Sequence, residues 1–539
     1  MIVKPTMFRH ELLVAMLILV FFIGSGVTPL WAQENDEPSL LYKANEKISA
    51  ILFFDLAFGS IQVDEVDRDG SPILDEFGQP IKRVVTIPLL IVTLILGAIF
   101  FTFWYRWMNV RGFKHAIDVI RGRYDRPEDT GEISHFRALT SALSATVGLG
   151  NIAGVAVAIQ LGGPGAVFWM LITAVFGMTA KFSSCTLSQI YRKINSDGSI
   201  SGGPMYYLDI GIKQMGGFWA PVGKFLAVMY ALMVMGGAIG GGNMFQVNQT
   251  AEAFRDTFGF SESANWIIGI TMMILVGVVI IGGIKRIGAA TSKIVPGMCG
   301  LYVLVSMIII LINISRVPET IGLIFSMAFT GNAFYGGMIG VAMWGIRRAS
   351  FSNEAGLGSA AIAHAAAKTE EPVREGIVAM IGPFIDTIIV CFMTAIVVII
   401  TGAWNDPSIP QSAGVTLTTK AFESAISWFP YVLTVSIALF AYSTMISWGY
   451  YGERGWIYLL DHFGGSGLKT VIVFRIIFVA AIIVGAVHPL SDVLDFSDAM
   501  ILSMAFPNIV GSVILAPRLL ERVRDYWNRY QSGEIRPVE

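Results

Sequence analysis

The sequence predicts an all-α polytopic membrane protein with about eleven spanning helices. Three observations predict it. Of its 539 residues, 54% are hydrophobic and only 14% charged, against about 25% charged in a soluble domain. The charges are segregated between apolar runs, each near the roughly 20 residues a helix needs to cross a bilayer. No run alternates with the period of two that marks a membrane barrel. The net charge of −2 gives no footprint for nucleic acid. Cys185, Cys299 and Cys391 all lie in apolar runs, which reads as packing rather than a disulfide framework. No CxxC or His-rich metal pattern is present.

The elements follow in chain order. Lys4, Arg9 and His10 precede an apolar stretch from Leu12 to Ile23, then small residues, Trp31-Ala32 and an acidic run from Glu34. Residues 1–32 therefore read as a signal peptide cleaved after Ala32, the alternative being an uncleaved extra helix. Residues 33–83 read as an extracytoplasmic segment, with an amphipathic helix over Lys43–Ser60. Ile61 and Val63 alternate with polar residues ahead of a turn signal at Asp69-Gly70. Glu65, Asp67, Asp69, Gly70 and Glu76 partly match a calcium loop. Glu65 stands where that pattern wants Asp, and Pro72 removes a backbone donor, so a plain turn is the better reading.

The first span is expected near 84–108. Ten more follow near 137–160, 165–191, 221–250, 264–284, 293–314, 333–350, 375–402, 430–450, 471–488 and 496–516. Together these make a membrane domain over 84–516. Loop charge supports the series. Arg106, Arg111, Lys114, Arg121, Arg123 and Arg126 crowd the first long loop, which the positive-inside rule makes cytoplasmic. Every second connection after it is basic too: Arg192-Lys193, Lys285-Arg286 with Lys293, Lys368 with Arg374, and Arg454 with Lys469. The intervening loops, 251–263, 315–320, 403–425 and 489–495, are acidic or nearly neutral. The tail, 517–539, with Arg518, Arg522, Arg524 and Arg529, is expected to be cytoplasmic. The whole reads as a multi-pass protein of a cell inner membrane.

Two runs conflict with an unbroken helix. Ser144–Gly154 reads SATVGLGNIAG, and glycine is the costliest ordinary residue in a helix interior. Unwound backbone at membrane depth is tolerated only where protein buries it or water reaches it. Many transporters use such breaks to offer carbonyls to a cation and a helix N-terminus to a carboxylate. Close helix packing through small residues is the alternative, and on this segment alone the two stand even. In the other half, Gly336–Gly358 combines glycines with Arg347, Arg348, Asn353 and Glu354. Charges at that depth are usually functional or paired. The arginines could instead mark a cytoplasmic helix end, with Glu354 pairing one of them inside a cytoplasmic gate. One interrupted helix in each half of a ten-helix core points to a pair of related repeats.

Polar faces add candidates. Asn243, Gln246 and Thr250 recur at helical spacing, and Thr444 and Trp448 share a face, with Ser443 beside them. A hard cation favours carbonyl and hydroxyl oxygens, although such hydroxyls more often bond back to their own helix. Trp448 is more often packing or an interfacial anchor than a lid. Asp386, in GPFIDTIIVC, is the clearest intramembrane carboxylate. It could carry a proton, hold an ion or bond a neighbouring helix, and with no partner legible the structural role is slightly favoured. Lys181 raises the same question.

At these residues the chain resembles the alanine/glycine:cation symporter family, the sodium:alanine symporters. The matching stretches are GLGNIAGVAVAIQLGGPGAVFWM (148–170), SGGPMYYL (201–208), GGIKRIG (282–288), SNEAGLGSAAIAHAAAKT (352–369) and FIDTIIVC (384–391), and the likeness covers roughly 84–516. The resemblance implies a leucine-transporter-type 5+5 inverted repeat with one preceding helix. It implies sodium-driven uptake of alanine, glycine or a similar amino acid across the bilayer, with no enzyme activity and no cofactor beyond the co-transported sodium. Gly148, Gly150, Asn151, Gln246, Met343, Thr444 and Trp448 are the implied substrate contacts. Ser144, Thr146, Val147, Asn151, Ser443 and Thr444 form the implied sodium set. Arg348, Asn353, Glu354 and Asp386 are the candidates for gating or coupling. Two positions depart from the family pattern: Leu149 stands where many members have Thr, and Arg348-Ala349 where they have Arg-Gly. Substrate size, handedness and oligomeric state stay open. The rival readings are a proton-coupled carrier of the same fold and, further off, a channel or sensor.

Overall fold

The structure is a computed structural model that describes residues 54–64, 73–75, 78–195, 198–281, 283–329, 337–409 and 414–538. The signal-peptide reading of 1–32 and the five residues of the calcium-loop reading lie outside them. At the start of the described chain, β1 (Gln62–Asp64) pairs antiparallel with β2 (Lys82–Val84), so the alternation at Ile61 and Val63 does mark a strand. The helix expected over Lys43–Ser60 is absent from its described part, 54–60. There, Asp55 folds a turn instead, accepting the backbone N–H groups of Ala57, Gly59 and Ile87. A carboxylate that binds three N–H groups outcompetes a helix start at this position.

The membrane elements then run in order: α1 (Leu89–Trp104), α2 (Phe113–Ile120), α3 (His135–Thr146), α4 (Ala153–Gly162), α5 (Ala166–Ile190) and α6 (Trp219–Phe258). The series continues with α7 (Ala264–Ile280), α8 (Gly283–Ile312), α9 (Val317–Phe329), α10 (Gly337–Asn353) and α11 (Ala360–His364). It ends with α12 (Pro372–Ile400), α13 (Val415–Ala425), α14 (Phe429–His462), α15 (Gly467–Val487) and α16 (Leu490–Gln531). Among the described residues, seven helices are long and apolar enough to cross a membrane, or eight when the bent pair α3–α4 counts as one. α1 and α7 are shorter apolar helices. α9 and α13 fall in segments read from sequence as loops. Both are short, and their polar residues hid them from a search for spanning runs.

α1 is apolar and peripheral, burying the stripe Leu90, Ile91, Leu94, Gly97, Ala98, Phe101 and Thr102. Gly97 matters there, because a Cβ would meet Ile509 Cγ2 at 2.6 Å. Arg106 and Trp107 follow with φ of 52° and 57°, a left-handed pair that turns the chain sharply out of the helix. In the centre, α3 and α4 form one interrupted element with a 59° bend.

The second interruption falls at the end of the run Gly336–Gly358 that the sequence singles out. α10 is continuous from Gly337 to Asn353, and the break falls at 354–359, where Glu354, Gly356 and Gly358 are all left-handed. Both breaks contain Gly-Leu-Gly, at Gly148–Gly150 and Gly356–Gly358. This short internal match supports the pair of related repeats and is invisible until the two breaks are aligned.

Candidate functional site

The site begins with the end of α3. Ser134 caps its start by accepting the N–H of Arg137. The helix stops at Thr146 because Val147 leaves the helical region and Gly148 is fully extended (φ −139°, ψ −149°). Unpaired N–H groups follow, and polar side chains take them up, as buried backbone demands. Asn151 Oδ1 accepts from Gly148 N (2.9 Å), and Gln246 Oε1 accepts from Leu149 N (3.1 Å). Gln246 in turn donates to Gly241 O (2.9 Å), inside a π-helical stretch of α6 at Gly240–Met244. Gly148 has no room for a side chain: a Cβ would sit 2.4 Å from Thr444 Oγ1 and 3.1 Å from Gln246 Oε1. At Gly150 a Cβ would meet Ser352 Cα at 3.3 Å, so the two broken elements touch there.

On one side, α14 faces the last turn of α3 with oxygen atoms. Thr444 Oγ1 donates to Ser144 O (3.0 Å), and Ser144 Oγ donates to Ser443 O (2.6 Å). Ser443 Oγ donates to Phe440 O (3.0 Å). Thr146 bonds back to Ala142 and Leu143, the ordinary use of a helical threonine. One turn on, Trp448 Nε1 reaches Ala145 O (3.3 Å), and its ring lies against Gly242, where a Cβ would fall 2.3 Å from Trp448 Cγ. The indole is thus buried packing that also ties α14 to the break.

On the other side stands Asp386, fully buried in a π-helical stretch of α12 over Phe384–Cys391. Its carboxylate accepts from Asn151 Nδ2 (2.6 Å), Ser352 Oγ (2.9 Å) and Thr387 Oγ1 (2.8 Å). The side chain therefore has partners on both broken elements, which sequence alone did not reveal. Thr394 Oγ1 adds a bond to Asn151 O (2.8 Å), and Thr418 of α13 one to Ile152 O (3.1 Å). Asn353 donates to Thr387 Oγ1 (3.0 Å), while its own carbonyl accepts from the buried Lys181 Nζ (3.0 Å). Glu354 bonds Ser359 across the second break, and Gly356 O accepts from Asn508 Nδ2 (2.6 Å).

Two expectations change. Arg347 and Arg348 do not pair with Glu354. Both guanidinium groups meet Asp498 of α16, Arg347 Nη2 at 2.7 Å from Oδ2. Arg348 also lies 5.2 Å over the Phe351 ring. α10 continues past both arginines, so they are mid-helix and not a helix end, and Glu354 leaves the helix on the far side of Asn353. Met343 packs with Ile91, Ala342 and Ile346 against α1, and so does not join Gly148, Gly150, Asn151, Gln246, Thr444 and Trp448 around the break. Sequence reasoning missed Asp498, although a carboxylate just inside an apolar run was the signal that found Asp386. It also missed Glu375, which accepts from His135 Nδ1 and from His364 Nδ1 (2.5 Å) and links the starts of α3 and α12 to α11.

A helical membrane protein whose two interrupted helices meet at one buried carboxylate has the architecture of a carrier. The chain belongs to the sodium:alanine symporter family, whose model matches residues 72–539. It is 41% identical over 450 residues to the sodium/alanine symporter AgcS of Methanococcus maripaludis, covering 83% of this chain and 96% of that one. It is 35% identical to YrbD of Bacillus subtilis, named a putative sodium/proton-dependent alanine carrier, over 82% of this chain and 90% of the other. The probable sodium/glutamine symporter GlnT of Bacillus subtilis is 34% identical, covering 83% and 89%. The protein is a membrane transporter and not an enzyme.

Proposed function

We propose that this chain carries a small neutral amino acid, alanine or glycine, into the cell by sodium-coupled alternating access. The observation that carries the reading is the oxygen set at the end of α3. The carbonyls of Ser144 and Ser443 and the hydroxyls of Ser144 and Thr444 meet where α3 ends against α14, the ligand chemistry a hard cation prefers. Sodium bound there would fix the last turn of α3 and with it the unwound segment from Val147 to Ile152. The amino acid carboxylate would then face the N-terminus of α4, where free N–H groups and the helix dipole favour an anion. Gln246 and Asn151 hold that segment open. The names of AgcS and YrbD support alanine, and that of GlnT keeps a larger amide in view.

A second reading, proton coupling in the same fold, is favoured by the buried carboxylates of Asp386 and Glu354 and by the name of YrbD. One experiment separates them. The purified protein in liposomes takes up radiolabelled alanine against its gradient when an inward sodium gradient is imposed. Equal uptake without sodium but with a pH gradient selects the proton reading, and uptake that never passes equilibration rejects both in favour of a channel.

A further inference from the structure

The end of α1 and the tail half of α16 enclose a cavity of about 230 Å³ that the transport reading does not use. Arg106, Arg111 and Arg524 line it. All three are exposed, and among the described residues none has an ion pair or hydrogen-bond partner for its guanidinium; Arg111 lies 4.9 Å over the Trp527 ring. No carboxylate lines this cavity. The neighbouring polar clefts differ in holding carboxylates: Glu370, Glu371 and Asp525 face three arginines in one, and Glu521 stands among Arg192, Arg518 and Arg522 in the other. The Trp527 ring, 9% exposed, also lines the cavity. The floor is apolar, from Met108 and Val523. The left-handed pair Arg106–Trp107 places this donor set directly beyond the last turn of the apolar helix α1, where basic residues at the end of a membrane helix would meet headgroups.

We propose that this cavity is a binding site for the headgroup of an anionic phospholipid. The phosphate oxygens would take the three guanidinium groups, and the acyl chains would lie along α1. Basic pockets at the membrane boundary recognise such headgroups, and planar guanidinium forks suit phosphate geometry. Soluble phosphate offers the same oxygens without the chains, so the test includes it.

The full-length protein is delipidated in detergent and titrated with phosphatidylglycerol, phosphatidylcholine or inorganic phosphate, with bound lipid counted by native mass spectrometry. Phosphatidylglycerol should be retained over phosphatidylcholine. The variant R106Q/R111Q/R524Q should weaken retention by about fivefold per arginine. W527F keeps an aromatic ring under Arg111 and loses only the buried N–H, so it should leave retention unchanged. K285Q/R286Q/K293Q removes as many exposed charges elsewhere and should change nothing. Equal loss in that control, unchanged retention in the triple arginine variant, or competition by inorganic phosphate at the same concentration as the lipid would each overturn the proposal. Unchanged melting of the triple arginine variant keeps the reading independent of folding.

Discussion

At the scale of single residues, the break in α3–α4 is held by contacts too close to tolerate change. Gly148→Ala places a methyl 2.4 Å from Thr444 Oγ1, an overpacking that should cost about 1–3 kcal/mol. Thermal unfolding of the detergent-solubilised protein should show the loss, and adding Thr444→Ala should restore part of it. Asp386→Asn keeps the shape but removes the charge that receives three donors. Its apparent sodium affinity in liposome uptake should fall by about 10–100-fold, the worth of charge-assisted bonds. An unchanged sodium dependence would remove Asp386 from the coupling. Gly148, Gly150 and Asn151 were legible in the sequence because glycine and asparagine contradict an apolar helix wherever they fall. The partners of Asp386 were not: Asn151 lies 235 positions away, and no local pattern encodes a contact made only when two interrupted helices close on each other. Met343, named among the implied substrate contacts, packs beside Ile91, Ala342 and Ile346, a tertiary contact that no local pattern encodes.

At the scale of elements, two junctions carry measurable consequences. α10 and α16 are joined by Arg347, Arg348 and Asp498, with Arg348 and Asp498 almost wholly buried. Asp498→Asn leaves buried positive charge uncompensated and should destabilise the protein by about 3–5 kcal/mol. Adding Arg348→Met removes the buried charge left behind and should raise the unfolding temperature again. α2 packs on the tail through His115, whose Nε2 meets Tyr526 OH (2.7 Å) and whose ring stacks on Tyr530 at 4.0 Å. Burial, helped by Arg374, holds this imidazole neutral and pushes its pKa down to about 4. Unfolded, it would protonate near pH 6.5. The unfolded state therefore binds the extra proton between those values, and stability is full above about pH 6.5 and falls as pH drops towards 4. The unfolding temperature should decline over that window, and His115→Phe should flatten the decline. Segregated apolar runs made most of these elements legible. α9 and α13 were not, because helices of 13 and 11 residues leave no spanning run to find.

At the scale of the whole molecule, coupling is an energetic claim. One sodium ion moving through ~100 mV gains about 2.3 kcal/mol, and a tenfold sodium gradient adds about 1.4 kcal/mol. Liposomes under both gradients should accumulate alanine roughly a few-hundred-fold, and collapse of either should lower the plateau in proportion. The matched pair of Gly-Leu-Gly breaks shows how the halves correspond, yet in the sequence they stand more than 200 positions apart within different neighbours. The meeting point at Asp386 has a further consequence. Because one side chain bonds Asn151 in the first break and Ser352 in the last turn of α10 before the second, movement of either element would disturb the other's hydrogen bonds, and under the proposed coupling the carboxylate would act as a logical AND between them. A transporter deprived of that condition would still move, but it would slip: empty or half-loaded cycles would dissipate the sodium gradient as a leak, without any matching delivery of amino acid.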